Sequence, residues 1–477
     1  MASEKTLNTK SLSALGAERL AELCIELATG NAVAKRRLRL ELAGRSGSGD
    51  VVAEIRKRLT SIAKSRSFVD WRKIKPLAQD LDLQRTAIVS HLAPVNPTEA
   101  FDLLWRLLEI APSIYERCDD SNGTISGVFA LALNDLAVVA RHAGVEARKL
   151  ADRVFDAVRV NDYAQFDGLI ASMAQALGKD GLGILKTKFE LLESKPPAKA
   201  DKADRRIIGI STRGPIFEDD YERTRQCRLI HAALLQIADA LGDVDGYAAR
   251  FSAAERTNPA IAAEIAERLL NANRADEALA VLTAGKINLE NGGHWPDWHR
   301  VSIDTLDALR RSDEAQAERW AIFERGLNAD YLRAFIKRLP DFDDEEAEHR
   351  ALAHVAQYPS FHQALAFLIE WPAHGIAAKL VLARHSELDG DHYGLLTPAA
   401  DALEQRYPLA ATLMLRAMID FSLERARHSR YGHAARHLQT CEHMARLIND
   451  FGDHGDHDAY VAELRLRHGR KSGFWNA

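Results

Sequence analysis

The length, composition and charge of the chain are those of an ordinary soluble protein with more than one core, since 477 residues are 47% hydrophobic and 27% charged, with a net charge of −5. No apolar run approaches the ~18 residues that span a bilayer, and the opening MASEKTLNTKSL lacks the apolar core of a signal peptide. Because the four cysteines lie far apart with no CxxC pair, we expect a cytoplasmic protein with reduced thiols and no membrane contact.

Positive charge is concentrated in the first 80 residues, which carry 16 Lys and Arg against 9 Asp and Glu. Two predicted helices, over 32–43 and 51–64, hold a basic cluster that consists of Lys35, Arg36, Arg37, Arg39, Arg56, Lys57 and Arg58. Such a cluster can contact nucleic-acid phosphates or an acidic partner. Glu41 and Glu54 dilute it, however, and acidic neighbours in the fold can equally neutralise it. No aromatic residue interleaves the cluster, so base stacking is not indicated.

Beyond this cluster the chain predicts one helix after another, because alanine and leucine dominate and prolines are few. Asn96-Pro97 marks the start of one helix. Its predicted buried face consists of Ala100, Leu103, Leu104, Leu107 and Leu108. Further helices are predicted over 128–143, 147–158, 165–177 and 181–192.

The clearest linker is the polar segment SKPPAKADKAD, which has nothing to bury. The stretch RIIGISTRGP over 206–215 is the only one with extended character, and we interpret it as a strap laid on the helices rather than a sheet. We therefore predict an N-terminal helical domain with the basic head over 1–193, a linker and strap over 194–216, and a C-terminal helical-repeat domain over 217–477.

A pair of antiparallel helices is predicted over 259–285, PAIAAEIAERLLNANRADEALAVLTAG. Such a pair cannot bury its apolar face alone and so implies stacked neighbours. The hairpin resembles a tetratricopeptide repeat, whose small and apolar positions fall on Ala262, Ile265, Ala266, Leu269, Ala278 and Leu282. It departs from the motif at Gly285, where alanine is usual, and at Glu290, where proline is usual. Together with a second partial copy over 431–444, the pattern predicts an all-α fold. The expected architecture is an α-solenoid of antiparallel helix pairs, either continuous or divided into two helical halves that a linker joins.

Four stretches resemble an uncharacterised family of bacterial helical proteins, a domain of unknown function. They are LGAERLAELCIELATG and KRRLRLELAG near the start, the DDSNG turn, and HGRKSGFW near the end. The resemblance extends over nearly the whole chain and implies a proteobacterial origin and a helical fold. It implies no activity and no functional residue.

Two segments contain potential metal ligands at a suitable spacing. His433, His437 and Cys441 lie four residues apart on one helical stripe, which suits three zinc ligands, although Cys441 also fits a core position and solvated histidines are common. The turn Asp119-Asp120 could hold a divalent cation, but the regular ligand pattern of an EF-hand is absent, which favours an ordinary capped turn. No cofactor is predicted.

The segment with the highest density of aromatic residues is HWPDWH, with Trp295 and Trp298 at a predicted helix start. Paired tryptophans there can form an exposed anchor for a peptide, or can close the core of the adjoining hairpin. No nucleotide-binding or hydrolase motif is present, so an enzyme is unsupported rather than excluded.

The leading hypothesis is therefore a non-enzymatic helical-repeat scaffold that binds a protein or peptide along its concave surface. The first alternative is a nucleic-acid-associated protein that uses the basic head, and the second is a metal-binding domain or enzyme in the histidine-rich C-terminal segment. The partner and the oligomeric state stay open.

Overall fold

The structure is a computed structural model that describes residues 7–46, 48–196, 205–212, 214–286, 288–289 and 293–477. It divides into two compact units, unit 1 over Met1–Glu255 and unit 2 over Arg256–Ala477. The segment 194–216, where we predicted a linker and strap, lies inside unit 1. The helices on its two sides pack against each other, so the chain leaves and returns to the same core there.

Unit 1 consists almost entirely of helices joined by short turns. These are α1 (Thr9–Ser13), α2 (Ala17–Ala28), α3 (Ala32–Ser46), α4 (Ser48–Lys64), α5 (Ile74–Ala87), α6 (Pro97–Glu109), α7 (Ala111–Tyr115), α8 (Thr124–Ala140), α9 (Ala147–Arg159), α10 (Leu169–Glu193), α11 (Glu218–Leu241) and α12 (Val244–Ala249), with a π-helical turn at Ile88–Leu92.

Helix α6 shows how local sequence sets these elements. The Asn96 side chain accepts a hydrogen bond from the Glu99 amide at 3.1 Å and so caps the helix, while Pro97 occupies the first turn, where its missing N–H costs nothing. Every residue of the predicted apolar stripe is at most 2% exposed. The prediction for this helix is confirmed.

Helix α10 is broken in the middle. Gly178 has φ 59° and ψ −175°, a conformation that only glycine adopts without strain. The break separates the two helices that the sequence predicted over 165–177 and 181–192, and both halves pack their apolar faces into the core of unit 1.

The predicted strap is instead a β-hairpin, and our interpretation that it is no sheet was wrong. Strand β1 (Ile207–Ser211) pairs antiparallel with β2 (Gly214–Phe217), and β2 contacts α11. The Arg205 guanidinium donates to Asp219 at 2.8 Å, which ties the base of the hairpin to the start of α11. Local pairing between the two strands thus satisfies backbone groups that a single strap would leave to water.

Unit 2 continues the same alternation. Its helices are α13 (Pro259–Asn271), α14 (Ala275–Lys286), α15 (Pro296–Ala308), α16 (Ser312–Gly326), α17 (Ala329–Ile336), α18 (Asp343–Ala356), α19 (Phe361–Glu370), α20 (His374–Ala383), α21 (Tyr393–Leu403), α22 (Pro408–Glu424), α23 (Tyr431–Ala445), α24 (His457–His468) and α25 (Ser472–Trp475), with 3₁₀ turns at Glu255–Thr257, His385–Glu387 and His428–Arg430.

Each unit is a series of consecutive helix pairs, which makes the chain all-α with the architecture of an α-solenoid. In the pair α13–α14, all six positions that carry the repeat-like pattern are at most 4% exposed. The main core of unit 2 extends from Phe323 to Phe474, so the C-terminal α25 docks on the preceding helices. Among the described residues, no helix has the length and apolar character needed to cross a membrane.

Candidate binding cleft

Three of the seven residues of the predicted basic cluster form ion pairs within unit 1. Arg58 Nε donates to Asp80 Oδ2 at 2.8 Å, and Arg36 Nε lies 3.1 Å from Asp80 Oδ1, an ion pair without hydrogen-bond alignment. Asp80 is only 2% exposed, so these two guanidinium groups compensate a buried carboxylate. Arg56 pairs with Glu99. These arginines therefore have a structural role in joining α3 and α4 to α5 and α6.

The rest of the cluster remains at the surface. Lys35, Arg37 and Arg39 on α3 are exposed and make no ion pair with a residue that the structure describes. Lys35 and Arg39 are four residues apart and share one face of α3, whereas Arg37 points to the opposite side. The basic surface is thus smaller and less continuous than the sequence suggested.

The tryptophan pair does not form an exposed anchor. Trp298 is 4% exposed, and its Nε1 donates to the Leu282 carbonyl oxygen at 3.3 Å. Trp295 is half-buried, and its Nε1 finds no acceptor among the described residues. The side chain of Trp298 closes the core of the α13–α14 pair, which was the alternative interpretation of the aromatic segment HWPDWH.

The three predicted zinc ligands are not brought together. His433 is exposed and its Nδ1 lies 2.8 Å from Arg436 Nη2, whereas Cys441 is fully buried with its Sγ 4.0 Å from the Thr412 carbonyl oxygen. Burial and the neighbouring His433 lower the pKa of His437, and burial raises the pKa of Cys441 to about 12. Within the described part of the chain, no group of three or more His, Cys, Asp or Glu could hold a metal ion.

The DDSNG turn is a capped turn. Asp120 accepts from the amides of Ile125 and Ser126 at 2.8 Å each, and Asp119 accepts from the Ser121 amide at 3.2 Å. Asp120 thus caps the N-terminus of α8 and Asp119 bonds the backbone of the turn itself, as the ordinary interpretation of this sequence predicts.

The feature of unit 2 with the most unusual chemistry is a cleft of about 640 Å³ between α22, α24 and the turn 385–390. We call it the polar cleft. The ionisable side chains that line it are His385, Glu387, Asp389, Arg416, Asp420, Glu424, His454, Tyr460, Glu463 and Arg467. Its volume lies in the range of ordinary ligand sites.

Helix α22 forms the floor of the polar cleft. Its sequence, PLAATLMLRAMIDFSLE, is mostly apolar, and its charged residues are Arg416, Asp420 and Glu424. They follow one another at a spacing of four residues and so lie on the same face. The turn 385–390 lies directly on this helix, because a Cβ atom at Gly390 would collide with the Ala417 carbonyl oxygen. Glycine at this position therefore sets the width of the cleft.

Asp420 has a strongly perturbed carboxyl group. Burial, and the nearby charges of Glu424 and Glu463, raise its pKa to about 6, although the hydrogen bond from Tyr460 and the charge of Arg467 act in the opposite direction. The Tyr460 hydroxyl donates to Asp420 Oδ1 at 3.1 Å, and burial raises the pKa of that hydroxyl. A carboxylate with such a shift in a cleft is a physical indicator of a functional site.

Arg416 lies next to it with few partners. Its Nη1 donates to the Gly455 carbonyl oxygen at 2.7 Å, and the centre of its guanidinium group lies 4.4 Å from the centre of the Tyr460 ring. Burial lowers the pKa of Arg416. A buried guanidinium group that keeps its charge needs compensation from nearby acceptors or aromatic rings.

The rim of the polar cleft is mostly acidic. Arg467 is shared by Glu424 and Glu463, while Glu387 pairs with Arg384 at 2.6 Å outside the cleft. The rings of His385 and His454 lie 4.5 Å apart, and burial together with this neighbour lowers the pKa of His454. This shift favours the neutral form of His454.

The chain matches a single family profile over residues 2–477, described as a family of unknown function, DUF6880. The chain belongs to the DUF6880 family. The expected membership of an uncharacterised helical family is thereby confirmed, while the bacterial origin stays a prediction. No curated protein matches this DUF6880 chain.

Among solved structures, the DUF6880 chain is similar to a "circular tandem repeat protein with novel repeat topology and enhanced subunit contact surfaces". The two share 13% sequence identity over 94% of each chain, with a TM-score of 0.17. At that score the similarity carries no argument about fold or function, which have to be argued from the DUF6880 chain itself.

Our sequence analysis missed the polar cleft, although one signal was present. Two opposite charges, Arg416 and Asp420, interrupt an apolar helix at a spacing of four residues. Charged residues on a buried helix face are costly unless they are paired or used. The remaining lining comes from 385–390 and 454–467, and only packing brings those segments to α22.

Proposed function

We propose that this DUF6880 protein is a cytoplasmic, tetratricopeptide-like helical-repeat protein that binds a basic segment of a partner protein in the polar cleft of unit 2. The observation that carries the proposal is the charge of the lining. Carboxylates outnumber guanidinium groups, the former being Glu387, Asp389, Asp420, Glu424 and Glu463 and the latter Arg416 and Arg467. Such an excess of one sign attracts the opposite charge and raises its local concentration.

Asp420 is the strongest candidate to meet a cationic side chain. No ion pair joins it to a cation in the described part of the chain, whereas Glu424 and Glu463 already share Arg467. It also lies deeper than those two, where a charge pair is less screened by water and salt. A lysine or arginine of the partner would therefore gain most from Asp420, and the aromatic residue Phe421 also lines the cleft.

The test is a titration of the full-length protein into a short fluorescein-labelled peptide of glycine, serine and lysine, followed by anisotropy. We expect binding that weakens about three- to tenfold between about 50 and 300 mM salt, because the attraction is electrostatic. Asp420→Asn should weaken it at least as much. Asp313→Asn, an exposed carboxylate on α16 outside the cleft, is the matched control and should leave it unchanged.

An acidic peptide of the same length completes the experiment. Equal binding of the acidic and the basic peptide, or equal effects of the two substitutions, would show that the polar cleft does not recognise cations. An affinity that does not change with salt concentration would also show that the polar cleft does not recognise cations.

A second candidate function, contact with nucleic acid, rests on the three exposed cations of α3, Lys35, Arg37 and Arg39. Replacement of all three by glutamate should abolish binding to a DNA duplex at low salt and flatten its salt dependence. Arg36 and Arg58 must stay intact, because they compensate the buried Asp80. Duplex binding that survives the triple replacement would remove this candidate.

A further inference from the structure

The guanidinium group of Arg416 has donors that the protein does not use. The side chain is 7% exposed, and only Nη1 donates, to Gly455. Nε and Nη2 have no acceptor among the residues that the structure describes. These two nitrogens form one edge of the planar group, the edge that receives a carboxylate through two parallel hydrogen bonds.

The nearest carboxylate on the same helix does not fill that edge. Asp420 lies one turn away, but its Oδ1 is held by the Tyr460 hydroxyl, and no ion pair joins Asp420 to Arg416. Tyr460 thus stands between them, with its ring against the guanidinium group and its hydroxyl on the carboxyl group. The polar cleft therefore offers a cation and an anion that are not paired with each other, on residues whose Cβ atoms are about 5–6 Å apart along α22.

A ligand that satisfies both sites carries a carboxylate and a cation in one small molecule. A phosphate group fits less well, because its second negative charge would face the carboxylates of the rim. A volume of about 640 Å³ accommodates the last few residues of an extended chain.

Resting on the function proposed above, we propose that the polar cleft binds the C-terminus of a partner chain that ends in lysine or arginine. The terminal carboxylate is received by Nε and Nη2 of Arg416, and the cationic side chain of the same residue is received by Asp420. The shared chemistry is a carboxylate beside a cation, which a free basic amino acid also possesses.

The carboxylate reaches Arg416 by displacing protein atoms. Both free nitrogens are closed to water, and the neighbouring wall is the loop 449–456, in which Phe451 lies 5.8 Å from the guanidinium centre and Gly455 accepts its only hydrogen bond. This loop has left-handed backbone at Gly452, with φ 54°. We therefore expect the amides of this loop to change their exchange with solvent when the ligand binds.

The experiment is calorimetry on the full-length protein with three probes: a glycine–serine peptide that ends in lysine with a free carboxylate, the same peptide with an amidated end, and free L-lysine. We expect the free-acid peptide to bind about tenfold or more tightly than the amide, because a charged bidentate pair is lost on amidation. Arg416→Gln should remove that preference, so that the acid and the amide bind this variant with equal affinity.

Equal binding of acid and amide would overturn the terminal site and leave the proposed basic-segment function standing. Absence of binding by either peptide would overturn both. Free L-lysine that binds as tightly as the acid peptide would overturn the assignment to a chain end. Because the acid–amide comparison uses the unmodified protein, the test holds even where Arg416→Gln fails to fold.

Discussion

At the scale of single residues, the carboxyl group of Asp420 costs the fold stability at neutral pH. Its pKa in the folded chain is raised to about 6 by burial and by Glu424 and Glu463, although Tyr460 and Arg467 oppose the shift. Well below pH 4 the group is protonated in both the folded and the unfolded chain and contributes nothing. As the pH rises towards 6, the unfolded chain ionises first, so the folded state loses stability, and the full penalty is present above pH 6.

Replacement of Asp420 by asparagine should therefore stabilise the protein by roughly 1–2 kcal/mol at about pH 7, relative to the native chain, and by much less at about pH 4. Denaturant unfolding at a series of pH values measures the difference. Asp453→Asn, an exposed loop carboxyl, is the control. If Asp420→Asn raises the free energy of unfolding equally at both pH values, the pKa of the Asp420 carboxyl group is not perturbed.

Gly285 illustrates a departure from the repeat pattern that the structure explains. A Cβ atom there would lie 2.8 Å from the Cβ atom of Ala262 and 3.5 Å from Trp298 Nε1. The indole ring of Trp298 fills part of the space in which the side chain of an alanine at position 285 would lie. Absence of a side chain at Gly285 thus allows α14 to approach α13 closely.

Gly285→Ala should destabilise the protein by about 1–2 kcal/mol despite the better helix propensity of alanine. The double variant Gly285→Ala with Ala262→Gly removes the clash and should recover part of that loss beyond what adding the single effects predicts. Strict additivity in chemical denaturation would mean that the contact between α13 and α14 is not the cause.

At the scale of elements, helix bounds were predictable where the signals are local. The start of α6 follows from its cap, and α9 was placed over 147–158 against Ala147–Arg159 in the structure. The β-hairpin was missed because Ile207, Ile208 and Ile210 are all exposed, so no burial pattern of period two distinguishes it from a strap. The polar cleft was missed because three distant segments form it.

The broken helix α10 offers an internal comparison between two glycines. Gly178 is non-helical with φ 59°, whereas Gly183 is helical, and a Cβ atom at either position would meet nothing within 4 Å. Gly178→Ala should therefore cost about 1–3 kcal/mol through backbone strain alone, and Gly183→Ala should add about 0.5–1 kcal/mol through helix propensity. Thermal unfolding of the two variants should give shifts of opposite sign; shifts of the same sign would contradict the break at Gly178.

At the scale of the whole molecule, each unit has a core of its own. The core of unit 1 extends from Leu40 to Ile237, and the main core of unit 2 lies between Phe323 and Phe474. A chain of this length normally divides in this way, because one core stops growing beyond about 250–300 residues. The fold class was predictable because each helix pair has local sequence signals. The boundary after Glu255 was not predictable, because the same helix pairs continue on both sides of it.

Residues 256–477 produced alone should therefore unfold in one cooperative transition, and the full chain should require more than one transition in calorimetry. A matched fragment that ends at residue 255 provides the comparison. Fragments that are unfolded in isolation, together with a single transition for the full chain, would show that the two cores are not independent.

The burial of Cys441 gives unit 2 its own kinetic probe. It is the only thiol of unit 2, its pKa is raised to about 12, and it packs against α22 beneath the polar cleft, whereas Cys24 and Cys227 of unit 1 are exposed. A thiol reagent should modify the exposed pair at once and reach Cys441 only when unit 2 opens. Cys118 of unit 1 is half-buried and its pKa is also raised by burial, so alkylation of Cys441 has to be followed on its own peptide by mass spectrometry. Its rate measures the opening of unit 2 inside the intact chain, and a ligand that holds α22 and α24 together should lower it.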